Sequence, residues 1–325
     1  RSRLARMNNL FSFLLLAMAL GCGGSDSGSI AGSGGNAGAG GDGGTGGSGG
    51  QEFSPDPPLV IGGDERPADV DIPTDYDPAL TYPLVVLLHG AGTDGRTQAG
   101  YLQLFNFVDE KQFIMVYPNG TPNDEGRRLW NGAVCCTSDD EIDDVGYISG
   151  LIAEAQETYN TDPKRVYLIG HSNGGFMSFR MACEVPTLVT ALVSLAGGTY
   201  ENPADCQPGT PAVSTLVVHG TADGTIPYEG SPGAYIAGVE AAERSAESAG
   251  CNPDASTFVE SLDLLPGVDG DETDVYEYST DCDEGLDAEL WTMNDGGHIP
   301  FFQALDSGKP LFPELVIDWL YRHSR

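Results

Sequence analysis

A serine sits between glycines in Gly170-His171-Ser172-Asn173-Gly174, directly after an apolar run and directly before a helical pattern. This is the G-x-S-x-G nucleophile elbow in both spelling and context. Serine is a poor nucleophile until a base takes its proton, and a sharp strand-to-helix turn exposes its Oγ where an imidazole can reach it. The chemistry such a turn serves is attack on an acyl carbon. In elbow arrangements the acid and then the histidine follow the serine along the chain. Of the five histidines, only His219, His298 and His323 come after Ser172. His323 belongs to the terminal helix and reads as a surface or core-edge residue. His219 ends a strand, where its backbone rather than its ring is expected to shape the turn. His298 follows Gly296-Gly297 on a loop after the last strand, from which a histidine can swing over the serine, and it is the expected base.

The acid must fix the imidazole tautomer and stabilise the imidazolium formed during reaction. Asp223 lies on the loop after the strand Thr215 to Val218, in the turn His219-Gly220-Thr221-Ala222-Asp223-Gly224. Asp205, Glu229 and the carboxylates from Asp263 to Asp271 are rivals without that strand-loop placement. Acyl transfer also needs hydrogen-bond donors aimed at the developing oxyanion. The backbone N–H of Asn173 supplies one, and the backbone of Ala91, in His89-Gly90-Ala91-Gly92 after a strand, is expected to supply the other.

These residues need a frame. Apolar runs alternating with helical patterns from residue 51 onward signal a mostly parallel central sheet with helices on both faces, an α/β fold. Strands are expected at Leu84 to Leu88, Phe113 to Tyr117, Arg165 to Ile169, Ala191 to Leu195, Thr215 to Val218 and Leu290 to Met293. Helices are expected from Asp143-Asp144 to about Tyr159, from Asn173 to about Cys183 and from Gly233 to Gly250. Phe312, Val316, Trp319, Leu320 and His323 recur at helical spacing, which predicts a closing amphipathic helix packed on the sheet. The acidic stretch from Cys251 to Asp287 carries no readable element.

Composition narrows the setting. With 48 acids against 15 bases the chain has a formal net charge of −33, which repels polyanions and argues against nucleic acid as a partner. Arg1, Arg3 and Arg6 followed by the apolar run Leu10 to Leu20 have the architecture of an export signal, and the run is short for a membrane span. Ala19-Leu20-Gly21-Cys22 looks like a lipobox, with its leucine one place late. Residues 1–22 are therefore expected to be a signal peptide ending at a lipid-anchored Cys22, the only expected link to a membrane. Residues 23–50, nearly all Gly, Ser, Ala and Thr, are expected to form a flexible linker, and 51–325 one catalytic domain. Cys135, Cys136, Cys183, Cys206, Cys251 and Cys282 form an even set that reads as three disulfides, Cys251 with Cys282 and the other four among themselves. Cys135-Cys136 lacks zinc-ligand spacing, so no metal site is expected, and no cofactor.

Leu88-His89-Gly90-Ala91-Gly92, Trp130-Asn131-Gly132, Asp143-Asp144-Val145-Gly146-Tyr147, Gly170 to Gly175 and His219 to Asp223 occur in one order. With them the chain resembles the polyhydroxybutyrate depolymerase-like esterases, relatives of feruloyl and acetylxylan esterases, over about residues 58 to 325. The resemblance implies an α/β-hydrolase fold and the triad roles for Ser172, Asp223 and His298. It leaves Asp143 and Asp144 as helix-capping and structural residues. One departure concerns substrate: many relatives follow the histidine with threonine, tryptophan and proline, whereas Ile299-Pro300-Phe301-Phe302 stand here. The expected activity is carboxylic ester hydrolysis through an acyl-enzyme, in a secreted or cell-envelope protein. The expected substrates are feruloyl or acetyl plant-wall esters, short acyl esters or hydroxyalkanoate oligomers, polysaccharide-linked or polyester in origin. The competing expectations are a serine peptidase on the same scaffold and a non-catalytic surface-binding lipoprotein that keeps the fold.

Overall fold

The computed structural model describes residues 52–325 except 133, 137–140, 207–210 and 306. The expected signal peptide with Cys22 and the Gly/Ser-rich linker lie outside the described residues. A ten-stranded sheet organises the rest. Its strands are β1 (Val60–Ile61), β2 (Ala68–Asp71), β3 (Tyr82–Leu88), β4 (Ile114–Tyr117), β5 (Thr161–His171), β6 (Ala191–Leu195), β7 (Ser214–Gly220), β8 (Thr257–Leu262), β9 (Thr273–Tyr278) and β10 (Ala288–Met293). They lie in the order β1-β2-β4-β3-β5-β6-β7-β10-β9-β8. The six central strands, β4 to β10 in that order, run parallel, and two antiparallel strands close each edge.

Both faces are covered, because the central strands are apolar without alternation. Leu84, Val86 and Leu88 of β3 point to a core shared with Ile148, Leu151, Met177, Ala241 and Ala246. These belong to α2 (Asp144–Thr158), α3 (Asn173–Glu184) and α4 (Gly238–Ser248). Val85 and Leu87 point the other way, to Ala99 and Leu102 of α1 (Gly95–Leu102) and to Phe312, Val316 and Trp319 of α5 (Leu311–Leu320). The period-2 geometry of a strand thus feeds two cores from one apolar run. This is the α/β-hydrolase layout expected from the sequence.

Three elements differ from expectation. The helix expected from Gly233 begins only at Gly238, because Tyr235–Ala237 pair as a short strand with Gly198–Tyr200 and Gly238 turns with φ +50°. The stretch from Cys251 to Asp287, left unassigned, contains β8 and β9, an antiparallel extension of the sheet whose outer strand is largely exposed. His323 lies just beyond α5 and is buried, with Nε2 2.8 Å from Asp287 Oδ1. Cys251 pairs with Cys282, as expected, and the other four pair as Cys183–Cys206 and Cys135–Cys136.

Candidate active site

Strand β5 runs to His171, so Ser172 stands at the strand's last step and α3 begins at the next residue. Its backbone adopts φ 55° and ψ −120°, a conformation that side chains with a Cβ rarely take and that costs about 1–3 kcal/mol. Two close approaches hold the turn. A Cβ on Gly174 would lie 2.2 Å from the Leu88 carbonyl oxygen, and one on Gly90 would lie 3.2 Å from His171 Nδ1 and 3.5 Å from the Ser172 Cβ. Only glycines let the end of β3, the elbow and the first turn of α3 meet.

Ser172 Oγ lies 2.9 Å from His298 Nε2, and His298 Nδ1 lies 2.7 Å from Asp223 Oδ2. The three side chains named from the sequence therefore form one hydrogen-bonded chain, and all are buried. Burial by itself would raise the Asp223 pKa. Hydrogen bonds from His219 and His298, the charge of His298 and the Ile226 N–H outweigh that and hold it below the ordinary carboxylate range. Of the rival carboxylates, Asp205, Glu229, Asp263, Asp269 and Asp271 are exposed. The acid turn and the histidine loop are laced together: Ala222 N–H donates to the Gly296 carbonyl at 2.9 Å, and Asp295 N–H to Thr221 Oγ1 at 2.9 Å.

The His219 ring was not expected to take part, yet it does. Completely buried, its Nε2 lies 2.8 Å from the Ile226 carbonyl oxygen and 3.3 Å from Asp223 Oδ2. A histidine at a strand end stands four positions before an aspartate across a tight turn, and that spacing is the signal that could have found the contact.

The loop bearing Ala91 is braced from beneath. Gly120 N–H donates to His89 Nε2 at 2.9 Å, so the His89 proton sits on Nδ1 and donates to the Gly90 carbonyl at 2.8 Å. Burial lowers the His89 pKa to about 4, which keeps that ring neutral. Asn173, whose N–H opens α3, also clamps Trp130 with its side chain: Oδ1 accepts from the Trp130 N–H at 2.7 Å and Nδ2 donates to its carbonyl at 2.9 Å. Trp130 Nε1 in turn donates to the His89 carbonyl at 3.0 Å. The backbone N–H groups of a helix's first turn lack intrahelical acceptors and carry the positive end of its dipole. Asn173 stands in that first turn, and Ala91 lies on the loop after β3.

Asp143 caps α2 through the Gly146 N–H at 2.7 Å. Asp144 is buried, paired with Arg66 at 2.8 Å and accepting from the Asn131 N–H at 2.7 Å, which ties the Trp130-Asn131-Gly132 segment to α2. The segment after His298 is anchored as well. Tyr101 OH donates to the Pro300 carbonyl at 2.8 Å, and Phe302 stacks on Phe312 with ring centroids 4.0 Å apart. Ile299 and Phe301 remain exposed, the latter at 73%. A separate cavity of about 470 Å³ lies between α3 and α4 beside the Cys183–Cys206 bridge; none of Ser172, Asp223 and His298 lines it, so it does not mark this site.

The sheet order and its two helical layers are those of the α/β-hydrolase fold. The family model described as Phospholipase/Carboxylesterase matches residues 78–236. A protein described as "Probable feruloyl esterase C" from Aspergillus niger is 28% identical over 193 residues, 58% of this chain and 63% of that protein. Feruloyl esterase D of Neurospora crassa is 25% identical over 273 residues, 81% of this chain and 83% of that protein. The solved acetyl xylan esterase from Aspergillus awamori superposes with a TM-score of 0.60 at 15% identity, covering 81% of this chain and 98% of that one, which speaks for the fold. The chain spans from 22% to 63% of the length of several curated relatives it matches. Its fold is that of the α/β-hydrolases, and the relatives described above are esterases.

Proposed function

We propose that this protein is a serine carboxylic ester hydrolase that works through an acyl-enzyme on Ser172. The observation that carries the reading is the unbroken hydrogen-bonded chain from Ser172 Oγ through His298 to Asp223, on an elbow with positive φ. His298 Nε2 takes the serine proton as Oγ attacks the ester carbonyl carbon. The oxyanion of the tetrahedral intermediate is held by the backbone N–H groups of Ala91 and Asn173. As the carbonyl re-forms, the alcohol leaves with the proton carried by His298, and Ser172 keeps the acyl group. A water molecule deprotonated by the same imidazole then attacks the acyl carbon, and the carboxylic acid departs as Ser172 regains its proton. Asp223 stays ionised throughout and keeps the His298 Nδ1–H pointed at itself.

The substrate class is feruloyl or acetyl esters of plant-wall type, short acyl esters or hydroxyalkanoate oligomers. The exposed Ile299 and Phe301 beside His298 support an apolar or aromatic group flanking the scissile ester. Three disulfides among the described residues support passage through an oxidising compartment, and with it export; anchoring at Cys22 rests on the lipobox-like Ala19-Leu20-Gly21-Cys22 alone. The test is an ester panel of nitrophenyl acetate and butyrate, methyl ferulate, acetylated xylan and hydroxybutyrate oligomers, with a peptide nitroanilide as control. Turnover of esters with the anilide left intact is expected. Cleavage of the anilide alone would replace the esterase reading with a peptidase one.

A further inference from the structure

Asp223 faces four donors, of which only His298 belongs to the triad and only His219 is a further side chain. Oδ1 accepts from the backbone N–H groups of Thr225 and Ile226, each at 2.8 Å. Oδ2 takes His298 Nδ1 at 2.7 Å and His219 Nε2 at 3.3 Å. Both atoms facing His219 Nε2, the carboxylate oxygen and the Ile226 carbonyl, can only accept, so Nε2 must carry a proton. Its other nitrogen, Nδ1, is buried with no partner among the described residues. A buried orphan nitrogen contributes nothing to the fold and costs stability. An apolar side chain in this pocket, walled by the Tyr228 ring edge-on at 5.7 Å, would avoid that cost. The ring's return lies at Nε2.

We propose that His219 is a positioning residue for the acid: its Nε2–H, shared between Asp223 Oδ2 and the Ile226 carbonyl, locks the carboxylate so that Oδ2 stays on His298 Nδ1. The two backbone donors fix one oxygen and leave the carboxylate free to pivot about it. His219 adds a second donor at Oδ2 and closes that freedom. It also tethers the end of β7 to the Ile226 carbonyl, which holds the acid turn in shape. The same donor helps keep Asp223 ionised inside a buried site, where burial favours the protonated acid. The titratable groups around it are Asp223, His298, Tyr228 and, on the elbow, His171. This inference rests on the esterase reading.

The test compares His219→Leu, His219→Gln and Asp223→Asn in the full chain, with nitrophenyl butyrate as substrate. His219→Leu should still fold, with a melting temperature lowered by the unsatisfied Ile226 carbonyl, and lose about ten- to a hundredfold in kcat at nearly constant KM, the worth of one hydrogen bond to a charged group. His219→Gln, whose amide N–H can reach the place of Nε2, should recover most of that loss. The downfield proton resonance of the His298–Asp223 hydrogen bond should move in the Leu variant and return in the Gln variant. A folded His219→Leu with wild-type kcat, or a folded Gln variant as slow as Leu, would overturn the inference. Should Leu fail to fold, the Gln variant alone decides: activity within about threefold of wild type supports it, and a loss beyond tenfold with the fold retained refutes it. A large loss in Asp223→Asn with none in His219→Leu sinks the His219 role and leaves the esterase reading standing. Wild-type rates in Asp223→Asn would instead remove the acid on which both depend.

Discussion

His171, the residue before the nucleophile, donates from Nε2 to the carbonyl oxygen of His298 at 3.0 Å. The end of β5 is thereby tied to the loop that carries the base. The Tyr101 ring, 5.4 Å away, packs on His171 while its hydroxyl holds the Pro300 carbonyl two residues further along that loop.

Replacing His171 by leucine keeps the volume and removes the donor. It should lower stability by about 1–2 kcal/mol through the unsatisfied His298 carbonyl. It should also lower kcat severalfold while leaving the ester preference unchanged. Urea denaturation and saturation kinetics on nitrophenyl butyrate measure both. Unchanged stability and rate would mean that the loop is held by Tyr101 alone.

Acid should weaken the fold through two buried histidines. Burial lowers the pKa of His171 and of His89 from 6.5 to about 4. Each is neutral in the folded protein while the unfolded chain protonates near the ordinary value, so unfolding takes up protons below pH 6.5. Stability should be level above that pH and fall between about 6.5 and 4, by up to about 3 kcal/mol per histidine. Denaturation midpoints across that window test the sign, and His89→Gln should flatten the slope. A stability that rises as pH falls through the window would contradict the burial account.

Asp223→Asn should preserve the fold but present the wrong His298 tautomer to Ser172, with a loss of kcat that can approach ~10⁴-fold. Glu229, exposed on the following turn, should tolerate change to glutamine with little effect. Rates at saturating nitrophenyl butyrate separate the two. A crippled Glu229→Gln beside a normal Asp223→Asn would reassign the acid and leave serine and histidine in place.

How much of this was legible beforehand depended on the physics of each segment. The parallel core declared itself because strands such as Leu84 to Leu88 are buried on both faces and are therefore apolar throughout. The elbow announced itself through its glycines. The hairpin of β8 and β9 did not, since an edge strand wetted on both sides has no apolar stripe; Thr257–Leu262 is mostly exposed and rich in polar residues. The start of α4 was misplaced for a related reason: three residues, Tyr235–Ala237, suffice for a strand when a partner is at hand, and periodicity cannot register so short a piece. The clamp of Asn173 on Trp130 and the ring of His219 on Asp223 are side-chain contacts across the fold or across a turn. Residue types alone marked those positions as notable without saying what the side chains would touch.

The measurement that bears most directly on the central claim is turnover of nitrophenyl butyrate by Ser172→Ala, run beside circular dichroism and a melting curve on the same preparation. The hydroxyl contributes chemistry and little packing, so the variant should melt as wild type does, and relief of strain at φ 55° is not expected because alanine keeps the Cβ. Its kcat should fall by about 10⁶-fold, and mass spectrometry should find an acyl adduct in the wild type and none in the variant. A folded Ser172→Ala protein that hydrolyses the ester at the wild-type rate would contradict the whole account.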